Sequence, residues 1–371
     1  VNEYPPPQIS AEASHDRKPH YYWLDIIRFL AAFGVMAGHF RGGFFEEYGL
    51  LAAEDKTPIV LLFYLVTKLG HACVLVFFVL SGFLVGGKAI ERMRDHKFRL
   101  GDYSIDRTVR IALPLISALL LYIPVSYYMG NPIHWWRWVG NLCSLQGVLC
   151  EVVVGPLWSL SYEVWFYILI GTIAVVLDGT NRQRILAWPC MLAVIFVFMH
   201  LKVLYLFIWL LGAASYLLMP KASNKITMIL SSVWVVVCLI VLQMTGKSRA
   251  FEIPQLLDIR PAMEVLFSCS FCLFLQQLIL HKPHKPWSIR LNRIGTCLAA
   301  FSYTLYLIHP LVQDLLTYMG APKSESINLL SLMLYFAWLT VGMVVSYLVY
   351  LLFERNTNFL KQKIRNIINL N

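Results

Sequence analysis

Charge is what this chain has least of. Only 14% of its 371 residues are Asp, Glu, Lys or Arg, against roughly 25% in an ordinary soluble domain. That scarcity excludes a disordered chain, a nucleic-acid-binding domain and a typical soluble enzyme. Long polar stretches are also missing. The longest loops between apolar runs are Arg41–Thr57, Gly87–Thr108, Gly130–Pro156 and Thr245–Pro261. Each is too short to build a core of its own. There is no internal repeat, which weighs against a transporter made of two related halves. The eight cysteines show no metal-ligand spacing, so no metal is expected. Cys269 and Cys272 form a C-x-x-C, but inside an apolar run and with no second pair. Cys143 and Cys150 share one loop, where an oxidising environment would allow a disulfide. No cleavable signal peptide is visible, and the polar, Pro-rich residues 1–20 read as a disordered tail.

What is abundant is apolar and aromatic: 58% hydrophobic residues, with 22 Phe, 19 Tyr and 11 Trp, and a mean hydropathy of +0.63. Ten apolar segments are each taken to span a bilayer, which needs about 20 helical residues. They are Tyr22–Phe40, Pro58–Gly86, Val109–Met129, Leu157–Leu177, Ile185–Met199, Val203–Met219, Ile226–Met244, Ala262–Leu280, Cys297–Met319 and Asn328–Phe353. The expected fold is all-α, a polytopic transmembrane helix bundle of about ten spans. Residues 21–355 form the membrane domain and 356–371 a basic C-terminal tail. An even number of spans puts both ends on one side. With the N terminus inside, 21 Lys and Arg fall on cytoplasmic segments and nine on the opposite side. That asymmetry predicts cytoplasmic termini. It also accounts for the net charge of +10 without a nucleic-acid partner.

Ionisable groups inside spans cost several kcal/mol and mark function. Arg28 and His39 lie eleven positions apart on the first span. That is about 1100°, or roughly 20° after three turns, and about 16 Å along the axis. Asp25, three before Arg28, shares the face and is positioned for a helix-local ion pair. On the second span Ser81 offers a hydroxyl and Gly82 permits close helix approach. Arg107 and Arg110 lie together at the entry of the third span, read either as ordinary positive-inside charge or as a phosphate clamp. On the fourth, Glu163 lies about 9 Å below one end, with Ser159 one turn above it and Trp158 beside that. His39 approaches from the same membrane side, so a carboxyl–imidazole pair is expected. His309, followed by Pro310, reads as a second site residue or as a satisfied bundle histidine.

At these residues the chain resembles the membrane acyltransferase-3 family. Four landmarks carry the resemblance in order. They are Leu24-Asp25-Ile26-Ile27-Arg28 with His39, Phe77-Phe78-Val79-Leu80-Ser81-Gly82-Phe83, Leu157-Trp158-Ser159-Leu160-Ser161-Tyr162-Glu163 with Phe166-Tyr167, and Ser302-Tyr303-Thr304-Leu305-Tyr306-Leu307-Ile308-His309. Phe353-Glu354-Arg355 looks like the closing signature. Leu75 stands where many members carry a polar residue. The resemblance implies an O-acyltransferase in a bacterial inner membrane. It would move an acyl group, usually acetyl from acetyl-CoA, to a hydroxyl of an extracytoplasmic glycan or glycolipid. His39 is then expected as general base, oriented by Glu163. Arg28, Ser81, Arg107 and Arg110 are expected to hold the donor, and Asp25, Trp158, Ser159 and His309 to support the site. The rival expectation is a proton-coupled transporter of a lipid-linked sugar or drug, with Asp25, Arg28, His39 and Glu163 as the relay.

Overall fold

The computed structural model describes residues 21, 23–245 and 259–369. The expected tail at 1–20 and most of the loop Thr245–Pro261 lie outside these. Among the described residues there is no β-strand, and the architecture is a helical bundle. α1 (Leu24–Phe44) runs through its middle. The second apolar run divides into α2 (Pro58–Thr67) and α3 (Gly70–Ser81), followed by a π-helical turn, Gly82–Gly87, and α4 (Lys88–Arg94). Then come α5 (Leu100–Tyr128), the short α6 (Trp135–Leu142), α7 (Leu157–Asp178), α8 (Asn181–His200), α9 (Val203–Leu217) and α10 (Lys225–Met244). The last group is α11 (Arg260–Leu280), α12 (Pro286–Ala299), α13 (Ser302–Tyr318) and α14 (Leu329–Val349). A second π-helical turn, Tyr350–Glu354, leads into α15 (Thr357–Asn369).

Local chemistry starts these helices. Thr57 accepts from the amide of Val60, with Pro58 in the first turn of α2. Thr180 with Gln183 and Asn328 with Ser331 form reciprocal capping pairs at α8 and α14. All ten apolar segments contain helix, but among the described residues seven continuous helical stretches are long and apolar enough to cross a membrane. The number is eight if α12 and α13, bent by 56°, form one broken span. α9, with 15 residues, is short for a span, and α1 is made more polar by Asp25, Arg28 and Arg41.

α1 packs against α3, α12, α13 and α14, and Arg28 and His39 on its polar stripe each line a cavity. Lipid offers no hydrophobic drive between helices, so close packing has to hold them together. The π-turn after α3 and helix α9 show this most clearly. A methyl group on Gly82 would overlap the carbonyl of Trp209, and one on Gly212 the carbonyl of Val79. The outer faces of α8, α10 and α14 carry exposed Leu192, Ile195, Ile229, Val233, Met333 and Phe336, as a lipid boundary requires.

Residues 356–369 do not extend away from the bundle as a tail. α15 packs on α5, where Arg365 pairs with Asp102 and Asp106, and Lys361 with Asp106. Cys143 and Cys150 are unbonded, and the Cys150 sulfur accepts from the Asn141 amide at 3.6 Å.

Candidate active site

Two cavities meet inside the bundle. The lower one, near the start of α1, has a volume of about 380 Å³. Arg28, Ser81, Arg107, Arg110, Ser159 and Glu163 all line it. The upper one, near the end of α1, measures about 300 Å³ and holds His39, Arg41, Lys68, His71 and Trp158. Tyr306 borders both. Its hydroxyl is 2.6 Å from Ser159 Oγ, and each hydroxyl lies 3.2 Å from the carbonyl of Pro156; with one hydrogen apiece, one of the two donates to the other and the second to that carbonyl. Ser159 and Tyr306 therefore form the partition between the two chambers.

The expected stripe on α1 is realised. Arg28 pairs with Asp25 at 3.1 Å, and Asp25 also accepts from Thr296 at 3.0 Å. Arg28 opens into the lower cavity and His39 into the upper one. Arg107 and Arg110 both reach the lower cavity, so the basic pair at the start of the third span lines a chamber as well as an edge. The Arg107 guanidinium also lies over the Tyr167 ring, 5.7 Å from its centre. Leu75 is fully buried and lines neither chamber.

The expected pair between Glu163 and His39 does not form. Glu163 accepts from the hydroxyl of Tyr167, one helical turn further along α7, and faces the lower cavity. Tyr167 in turn is 3.1 Å from Ser81 Oγ, and Ser81 accepts from Trp209 Nε1 at 3.1 Å. The protons order this chain in one direction. The indole can only donate and the carboxylate only accept. Trp209 therefore donates to Ser81, Ser81 to Tyr167, and Tyr167 to Glu163. Asp25, Arg28, His39 and Glu163 consequently do not form a single relay.

The partner of His39 is His309. The two rings approach at 3.3 Å between His39 Nδ1 and His309 Nε2. His309 is fully buried, and its Nδ1 lies 3.0 Å from the carbonyl of Leu305. A carbonyl only accepts, so Nδ1 of neutral His309 carries the hydrogen and Nε2 is an acceptor. His39 then donates from Nδ1, which leaves the lone pair of its Nε2 unclaimed. His309 is thus a satisfied bundle histidine that also contacts His39.

The sequence reading missed several residues that complete the lower chamber. Glu354 accepts from Thr304, and Arg355 and Lys361 join the lining. Glu354 closes the second π-helical turn, and π-turns recur at functional sites. Tyr167 and Tyr306 stood within the quoted landmarks without being singled out. The five cations Arg28, Arg107, Arg110, Arg355 and Lys361 outnumber the two carboxylates Glu163 and Glu354 in this chamber.

An acyltransferase domain family matches residues 21–352, nearly the whole of the chain. The chain is a member of the membrane acyltransferase-3 family. It is accordingly an integral membrane acyltransferase, with an acyl donor, an acceptor and the lipid bilayer as its partners. The comparison with curated proteins gave no match, and neither did the comparison with solved structures.

Proposed function

We propose that this acyltransferase takes acetyl from acetyl-CoA on the cytoplasmic side and transfers it to a hydroxyl of a glycan or glycolipid on the far side of a bacterial inner membrane. The observation that carries this reading is the meeting of a cationic chamber and a histidine chamber at one residue, Tyr306. The positive-inside count over the ten apolar segments supports a cytoplasmic lower chamber and cytoplasmic termini. Coenzyme A is a polyanion, and the five cations of the lower chamber suit its phosphates. The extended thioester arm would pass Tyr306 and present its carbonyl to the upper chamber.

There His39 Nε2 accepts the proton of the acceptor hydroxyl. The oxygen attacks the thioester carbonyl, a C–O bond forms and the C–S bond breaks. The thiolate leaves and takes its proton from the His39 imidazolium. His309 fixes the His39 ring and, once that ring is charged, receives a charge-assisted hydrogen bond from it. Ser81 and Glu163, linked through Tyr167, shape the donor side instead of orienting the base.

The test uses sealed vesicles containing the protein and a crude surface-glycan acceptor, with radiolabelled acetyl-CoA on one side. Label covalently on glycan of the opposite side supports the reading. Flux of glycan without covalent label would replace it with the transporter.

A further inference from the structure

A third cavity, of about 540 Å³, adjoins the lower chamber and is larger than either of the two described so far. It lies between α5, α7 and α8. Its depth is apolar, formed by Ile111 and Leu115 of α5, Val164 and Ile168 of α7, and Leu186 of α8. Leu186 is 67% exposed on the outer face of the bundle, so the cavity borders the space that lipid fills. Polar groups gather at one end, where Tyr103, Arg107 and Gln183 line it. The loop after α6 forms the other end. Ser144 lines the wall there, and its carbonyl accepts from Ser161 Oγ and Trp165 Nε1, at 2.8 Å each.

The polar end has a definite depth in the membrane. The stretch Val109–Tyr128 of α5 is about 30 Å long, the thickness of a bilayer's hydrocarbon core. Arg107, two residues before it, therefore comes at the level of the lipid headgroups. A cation at headgroup depth followed by an apolar channel into the hydrocarbon is the outline of an anionic lipid. Arg107 has donors to give. Its Nε is buried without a hydrogen-bond partner among the described residues, and its guanidinium lies over the Tyr167 ring. Asp102 and Asp106, on the preceding turns of α5, pair with Arg365 and Lys361. A guanidinium fork matches the oxygens of a phosphate.

We infer that this cavity binds one anionic phospholipid of the leaflet on the lower-chamber side. Its phosphate rests on Arg107 and one acyl chain lies between α5, α7 and α8. Arg107 and Tyr167 also wall the lower chamber, so the lipid lies against that side of the site. A guanidinium has five N–H donors, enough to serve both sides. Lipid held by apolar contact alone would show no headgroup preference, whereas the arginine predicts one.

The test places the full chain in nanodiscs of equal parts dioleoylphosphatidylglycerol and dioleoylphosphatidylcholine. Native mass spectrometry of the released protein then counts the lipid that stays bound. The two lipids share their chains and differ in net charge. Wild-type protein is expected to retain phosphatidylglycerol over phosphatidylcholine by about tenfold, as one charge-assisted contact would give. Arg107→Gln should bring the two close to equal. Ala112→Trp and Ala187→Trp, at residues that line the channel, should remove the retained lipid. Arg107→Gln adds no bulk and carries the test where a Trp variant fails to fold. Equal retention of the two lipids by the wild-type protein would overturn the inference. So would a preference that survives Arg107→Gln, or lipid still held by a folded Trp variant. No acyl transfer is read, so these outcomes leave the vesicle assay, and the function it tests, standing.

Discussion

His309 Nε2 stands 3.3 Å from His39 Nδ1, joining α13 to α1 behind the ring that His39 presents to the upper chamber. That contact replaces the acid–histidine pairing common in nucleophilic and general-base sites with a histidine–histidine one. In neutral His309 the backbone carbonyl of Leu305 fixes the tautomer.

His309→Phe removes the acceptor for His39 Nδ1 and keeps an aromatic ring in a fully buried position. The expected result is a loss in kcat on the order of 10²-fold, part of the 10²–10⁴-fold that general-base catalysis supplies. KM for the donor should change little. Steady-state acetyl transfer with varied acetyl-CoA checks both halves of this expectation.

Glu163→Gln gives a different signature. A carboxylate beside His39 would raise the basicity of the imidazole, so its removal would move the pH midpoint of kcat downward. Glu163 faces the lower chamber and accepts from Tyr167. The pH midpoint of Glu163→Gln should therefore match that of the wild-type enzyme, whatever happens to donor KM. A pH–rate profile of the two proteins decides it.

Arg28→Ala should raise donor KM about tenfold or more, the scale of one hydrogen bond to a charged group. The same change strips Asp25 of its ion pair and leaves it with Thr296. Donor titrations at saturating acceptor separate this from a loss of kcat.

Much of this site was readable before any fold was known, and the reasons are geometric. Asp25, Arg28 and His39 lie on a single helix, so a periodicity of 3.6 residues is enough to align them. Gly82 announced a close approach because no other residue type has so little bulk. The expected partner of Glu163 was on another helix, where periodicity gives no direction. Depth along an axis was known, but the direction in which α7 turns that carboxyl was not, and Tyr167 at i+4 claimed it. Lys361 was hidden for a related reason. Residues 356–369 are polar enough to pass for a tail, and only the carboxylates Asp102 and Asp106 on α5 draw them against the bundle. Hydropathy alone undervalues α1, the helix that carries Asp25, Arg28 and His39.

Gly82→Ala and Gly212→Ala probe the packing between the π-turn and α9. Each methyl group meets a backbone carbonyl that cannot swing aside. Overpacking of this kind costs about 1–3 kcal/mol. Thermal unfolding in detergent should show a lowered midpoint for both variants. A Gly42→Ala control, where a methyl group would meet nothing within 4 Å, should show little change.

The central claim is that His39 is the base and the lower chamber the donor site. Single-turnover transfer by His39→Ala, with donor binding measured on the same preparation, tests it most directly. The account predicts acetyl-CoA bound with near wild-type affinity and no acetyl delivered to the acceptor. Transfer at the wild-type rate by His39→Ala would contradict it.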